Sequence, residues 1–245
     1  MSSRPTDRSP TRRQLAGGLL ALLLAATGCV SGEAPGRSAV EAGEADASSP
    51  DTAASRPLPY ARRVIDFRPG PGAGHGQDRL PDIVLGPPTS NGVANPSEEV
   101  LTLGDGGEIV VGFGEQTIEN GPGSDLIVFE NPFLIGGSPD QVYAELGEVA
   151  VSVDGETWRS FDCQSADNAT GEWPGCAGWR PVRGYDPRAV LPLDPAISGG
   201  DPFDLEDVGL DRANYVRIRD RSSQEVTGVT VDGFDLDAVG AIHLK

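Results

Sequence analysis

Nowhere in this chain does a helical period of apolar residues persist for ten positions, and 33 glycines and 21 prolines interrupt its 245 residues. Inside a helix glycine costs about 1 kcal/mol and proline about 3 kcal/mol relative to alanine, so long helices are excluded and short strands joined by turns remain. The strand signals have the two-residue period. Val149, Val151 and Val153 share one face, Asp154-Gly155-Glu156 supplies the positive φ of a tight hairpin, and Thr157-Trp158-Arg159-Ser160-Phe161 returns. Tyr215-Val216-Arg217-Ile218-Arg219 alternates in the same way, with Val216 and Ile218 inward. Val100–Leu103 and Ile109–Phe113 flank the turn Gly104-Asp105-Gly106-Gly107 and read as a second hairpin. Leu126-Ile127-Val128-Phe129 is continuously apolar, which suits a strand covered on both faces. Val64–Phe67 and Ala238–Ile242 read as the first and last strands. Leu205–Val208 is the best candidate for a single helical turn, and residues 162–208 show no clear strand.

The first 56 residues have a different character. The apolar stretch from Leu15 to Gly28 is too short to span a bilayer as a helix, follows Arg12 and Arg13, and ends on Thr27-Gly28-Cys29. It resembles a bacterial lipoprotein signal, which implies cleavage after Gly28 and lipidation of Cys29; a plain secretory signal is the alternative. Thr11-Arg12-Arg13-Gln14-Leu15 also resembles a twin-arginine export signal, with the general secretory route left open. A lipidated cysteine carries at least two acyl chains, the condition for stable anchoring. Val30 stands where an Asp would tend to hold such a protein at the inner membrane, so the resemblance favours the outer membrane or cell surface. Residues 29–56 have two branched apolar residues, Val30 and Val40, and no aromatic, too little to bury a core, and read as the lipidated cysteine with a disordered tether. Residues 57–245 are then one β domain.

That domain carries 31 acids against 13 bases, the whole of the formal charge of −18. Such an excess repels phosphate backbones and argues against nucleic acid as a partner. Solubility explains it, as does a role for some acids as ligands of calcium, a hard cation that takes six to eight oxygens. With Cys29 set aside, Cys163 and Cys176 are an even pair in an exported protein and read as a disulfide. The two histidines, His75 and His243, lie at no zinc-ligand spacing from them. No nucleophile elbow or phosphate-binding glycine loop is present, so the chain reads as a non-enzyme, although two carboxylates suffice for a glycoside hydrolase.

The hairpin around Asp154-Gly155, the strand Tyr215–Ile218 and the closing Phe234-Asp235-Leu236-Asp237-Ala238-Val239 occur in an order that resembles discoidin-like, galactose-binding-type domains. Together with Gly76-Gln77, Val84-Leu85-Gly86-Pro87-Pro88 and Asp125–Asn131, they also look like a group of bacterial cell-surface proteins. The resemblance implies an all-β, two-sheet antiparallel jelly-roll sandwich with long Gly/Pro-rich loops. It also implies a structural calcium near the ends of the first and last strands, with Asp235 or Asp237 as ligand and Asp66 as a further one. An exposed acidic strand end or turn caps would explain the same aspartates.

Glu130, at the end of an apolar run, needs a partner: a cation, a polar rim contact shared with Asn131, a salt bridge to an arginine, or a pair of N–H groups in the following loop that Asn131-Pro132 opens. Trp173, Trp179 and Tyr185 fall in the long loop region, where aromatic rings could stack on sugars or cover the disulfide. Trp158 reads as sheet-face packing. The function these readings favour is a lipid-anchored extracytoplasmic protein that binds a glycan or another surface ligand without catalysis. A structural or complex-assembly lipoprotein with protein partners of unknown kind, and a polysaccharide hydrolase, are the alternatives.

Overall fold

The computed structural model describes residues 59–89, 91–165, 171–183, 193–221 and 233–245. The chain divides into Met1–Asp51 and Thr52–Lys245, and every described residue belongs to the second unit. Cys29, the tether expected over 29–56 and Tyr185 lie outside the described residues.

The described chain is mostly β. Strands β1 (Arg63–Arg68), β2 (Leu101–Thr102), β3 (Glu108–Gly112), β4 (Ile118–Glu119) and β5 (Leu126–Phe129) come first. They are followed by β6 (Phe133–Leu134), β7 (Val142–Tyr143), β8 (Gly147–Ser152), β9 (Arg159–Ser160) and β10 (Cys176–Ala177). Then come β11 (Asp201–Phe203), β12 (Arg212–Ala213), β13 (Tyr215–Asp220), β14 (Asp235–Leu236) and β15 (Ala238–Ala241). The α-helix α1 is a single turn, Pro195–Ser198, and Leu205–Val208 forms a 3-10 turn where the sequence suggests one. All described strand pairs are antiparallel.

The larger sheet has the order β1-β3-β13-β8-β10, with β9 also on β8, and a three-stranded sheet has the order β11-β5-β15. Inward side chains of both meet in one apolar cluster. Ile109 and Val111 of β3, Val149 and Val151 of β8, and Val216 and Ile218 of β13 share it with Leu126 and Val128 of β5 and Val239 of β15. The alternating residues of β5, Ile127 and Phe129, enter a second cluster with Tyr60, Val182 and Ala238. Strand β5 is therefore covered on both faces, as its continuous apolar run requires. Val216 and Ile218 are buried while Arg217 and Arg219 of the same strand are more exposed.

Three local expectations change. Leu101–Thr102 does not pair with Glu108–Gly112; it pairs with Asp235–Leu236, and β3 lies between β1 and β13. The turn Gly104–Gly107 exists, but it redirects the chain at a backbone crossing. Gly104 has φ +78°, and a Cβ there would lie 2.5 Å from the Gly70 carbonyl oxygen. The Val149–Phe161 hairpin forms with Val151 opposite Arg159, yet its return strand starts at Arg159, not Thr157. The Asp154 carboxylate accepts the Glu156 and Thr157 amides at 2.8 and 2.7 Å, which removes both donors from the ladder. Finally, residues 162–208 do contain strands, β10 and β11. Pro202 hides the second from sequence, and β11 is an edge strand, where proline is tolerated.

Candidate functional site

Strand β5 carries its chain to the rim of the small sheet, and the next residue, Glu130, is 2% exposed. Because β15 pairs antiparallel with β5, with Ala238 opposite Phe129, the approach to β15 passes Glu130. It delivers Asp235 there. The Asp235 amide donates to Glu130 Oε1 at 3.3 Å, and the Thr102 hydroxyl donates to Asp235 Oδ1. Glu145, buried just before β8, completes a group in which one oxygen from each carboxylate lies within 4.8 Å of the others.

The electrostatics of this group are unfavourable for three ionised carboxylates so close together. Burial, followed by the charges of Asp235 and Glu145, holds the Glu130 carboxyl well above the usual range, against the lowering effect of the Asp235 and Asn131 amides. Glu130 Oε2 is buried with no hydrogen-bond partner. The arginine salt bridge expected as one alternative for Glu130 does not form with any described residue. Glu145 and Asp235 also face an open basin of about 430 Å³ together with His75, Asn131, Phe133 and Tyr143. The Phe133 and Tyr143 rings stack with centroids 5.1 Å apart, and Asn131 Oδ1 accepts the Ser97 amide, which fixes the opposite wall.

Of the four acids singled out by sequence, the structure brings Glu130 and Asp235 together and adds Glu145. Asp66 lies outside the group, on β1, paired with Arg68 at 2.7 Å. Asp237 is 3% exposed and turns both carboxylate oxygens to the Thr89 amide, at 3.0 and 2.9 Å. Burial pushes its carboxyl up, and Glu99 adds to the shift.

A second site forms around the disulfide between Cys163 and Cys176. The Trp173 and Trp179 rings meet edge to face at 6.4 Å, and the Arg180 guanidinium sits 4.5 Å from the Trp179 ring centre. Trp179 Nε1 donates to the Cys176 carbonyl at 3.2 Å. The backbone of this turn is held by Asp201 of β11, whose Oδ2 accepts the Gly178 amide at 2.7 Å and the Trp179 amide at 3.2 Å. Burial outweighs those amides and the nearby Arg180, and the Asp201 carboxyl is pushed up to about 7. Trp179 and Arg180 line a cleft of about 1140 Å³ with Asp140, Glu172, Arg183 and Leu134. Trp158 lies elsewhere, with Arg217 stacked 4.6 Å from its ring centre on the outer face of the large sheet.

Sequence reasoning missed Glu145 and Asp201. Neither stands in a motif: Glu145 becomes a neighbour of Glu130 only through the path of the chain into β8, and Asp201 opens a strand masked by proline. No protein-family model matches the chain, and no curated protein matches it. The chemistry must therefore be read from the sites themselves. Glu130, Glu145 and Asp235 are the described residues that could hold a metal ion, and their all-oxygen donor set suits a hard cation. The tryptophan cleft joins flat apolar faces to charged groups, a combination suited to a polar ligand with apolar faces.

Proposed function

We propose that the protein is a lipid-anchored, extracytoplasmic binding protein that recognises a glycan in the Trp179 cleft and catalyses no reaction. The observation that carries this reading is the fixed aromatic turn: Trp179 and Arg180 line the cleft while buried Asp201 and the Cys163–Cys176 disulfide hold their backbone. A sugar presents C–H faces that stack on indole and hydroxyls that hydrogen-bond to Arg180, Arg183, Glu172 and Asp140. Preorganisation lowers the ordering cost of binding, which favours a rigid turn over a mobile one.

The fold we propose for the domain is a galactose-binding-type jelly-roll sandwich. In its support, two antiparallel sheets share one core, and loops at their ends form both sites. Cys29, as the lipidated residue, would place the domain on the outer membrane or cell surface. A hydrolase is less well supported. In the close carboxylate group Glu130 is buried, and nothing about Glu145 and Asp235, which face the basin, assigns them the acid and nucleophile roles that such an enzyme needs.

The test is a polysaccharide and glycan panel with the full chain in detergent micelles. Retention on at least one glycan, weakened tenfold or more by Trp179→Ala (about 1.4 kcal/mol) but not by Trp158→Ala, is the expected outcome. Absence of binding across the panel would overturn the reading, and release of reducing ends by the wild-type protein would overturn its non-catalytic part.

A further inference from the structure

We infer that Glu130, Glu145 and Asp235 form a calcium site at the floor of the basin beside the stacked Phe133 and Tyr143 rings. The inference stands apart from the glycan reading, since it uses none of the cleft residues.

Two independent observations carry it. The first is the group itself, three carboxylates of different chain segments with one oxygen each inside a 4.8 Å span. Calcium binds oxygens at about 2.3–2.6 Å, so two oxygens on opposite sides of the ion lie roughly 4.6–5.2 Å apart. The three oxygens, each within 4.8 Å of the others, are as close together as ligands of one such ion can be. Magnesium demands a near-ideal octahedron and keeps several waters, bound through one or two carboxylates, so three converging protein carboxylates suit it less well. The second observation is Glu130. The residue is 2% exposed, Oε1 takes the Asp235 amide, and Oε2 is buried without a hydrogen-bond partner. A buried carboxyl oxygen without a partner costs free energy in either protonation state, and a cation among the three carboxylates gives it one.

Of the aspartates that the resemblance offers for a calcium near the ends of the first and last strands, Asp235 belongs to this site, whereas Asp66 and Asp237 do not. It also has room for more ligands. Three carboxylates leave positions of a six- to eight-coordinate ion to be filled, and Glu145 and Asp235 open onto the basin, where water can supply them. Glu130 closes the site from below.

The experiment is calorimetric titration of the full, EDTA-stripped chain in micelles with calcium chloride, run beside thermal melts with calcium or EDTA. One calcium per chain is expected to bind saturably. At a hundredfold excess over Kd, mass action should raise Tm by roughly 5–10 °C for a domain of this size. Glu130→Gln should lose this response yet melt no lower than wild type in EDTA, because it removes one of three mutually repelling charges. Glu145→Gln should also lose the response, which keeps the test decisive if one variant fails to fold. Asp66→Asn, outside the group, should respond as wild type does. Absence of saturable binding and of a Tm rise in wild type would overturn the inference, as would a full response in both glutamine variants or an equal loss in Asp66→Asn.

Discussion

At the scale of single residues, the acids of this domain do more than keep it soluble. Four buried aspartates act as clamps on loop backbone. Asp125 accepts the amides of Gly121 and Leu205, Asp220 those of Gly106 and Phe234, Asp201 those of Gly178 and Trp179, and Asp237 that of Thr89. His243 Nδ1 lies 2.8 Å from Asp125 as well, so this histidine belongs to the clamp at the end of the small sheet. Each such bond contributes about 0.5–1.5 kcal/mol, and about 1.5–3 kcal/mol where the carboxylate is charged, enough together to hold Gly/Pro-rich loops that bury little of their own. Asp201 carries a consequence for pH. Its native carboxyl titrates at about 7 against an ordinary 3.8, so the folded state binds the proton more tightly than the unfolded chain. The stability it contributes is complete below about pH 4 and is lost as pH rises through 7, a change on the order of a few kcal/mol. Asp201→Asn keeps an acceptor for the two amides and cannot ionise. Its Tm should match wild type near pH 4 and exceed it by several degrees at pH 8; a difference that does not grow between those pH values would contradict the assignment.

At the scale of elements, what the sequence revealed depended on whether a strand's partner was encoded nearby. The continuous run Leu126–Phe129 announced a strand covered on both faces, and the alternation over Tyr215–Arg219 announced one inward and one outward face, because burial is written into the period of a single strand. The hairpin at Val149–Phe161 was legible because its partner is close in sequence, and the disulfide because the cysteine pair had no other use. The pairing of Leu101–Thr102 with Asp235–Leu236 was not legible, since it joins segments more than 130 residues apart through two-residue strands. The acidic site shares that property: Glu130 and Asp235 stood out as polar residues beside apolar runs, whereas Glu145 looks ordinary until the chain path into β8 is known.

The turn after β10 shows how tightly such elements meet. Gly178 has φ +95°, and a Cβ there would stand 1.9 Å from the Glu145 carbonyl oxygen and 3.1 Å from the Phe234 ring. The contact is with backbone, which cannot swing aside, so the turn must move. Gly178→Ala should therefore lower Tm by several degrees, given the 1–3 kcal/mol typical of a strained residue, and displace both the Trp179 ring and Glu145. Loss of Trp179 fluorescence character without a Tm change, or no change in either, would show that the turn has slack absent from this structure.

For the molecule as a whole, the question is whether its charges help or oppose folding. The ion pairs among described residues join Arg68 to Asp66 and Glu108, Arg79 to Glu99, Arg217 to Glu108 and Arg221 to Glu148. Most of these side chains are substantially solvated, and such pairs contribute at most about 1 kcal/mol each. Against them stands an excess of 18 acids over bases on the folded domain, a self-repulsion that every compact arrangement must bear. Repulsion should win, because it sums over many pairs at distances comparable to the screening length. Raising NaCl from about 20 mM to about 200 mM shortens that length from roughly 21 Å to roughly 7 Å, so salt should remove more repulsion than attraction. The expected result, in EDTA so that calcium does not contribute, is a Tm that rises by several degrees over this range at pH 8. At pH 4, where many carboxylates are protonated, the rise should shrink. A Tm that falls with salt at pH 8 would mean that the surface pairs outweigh the net charge, and that the acidic surface is organised more closely than its ion pairs indicate.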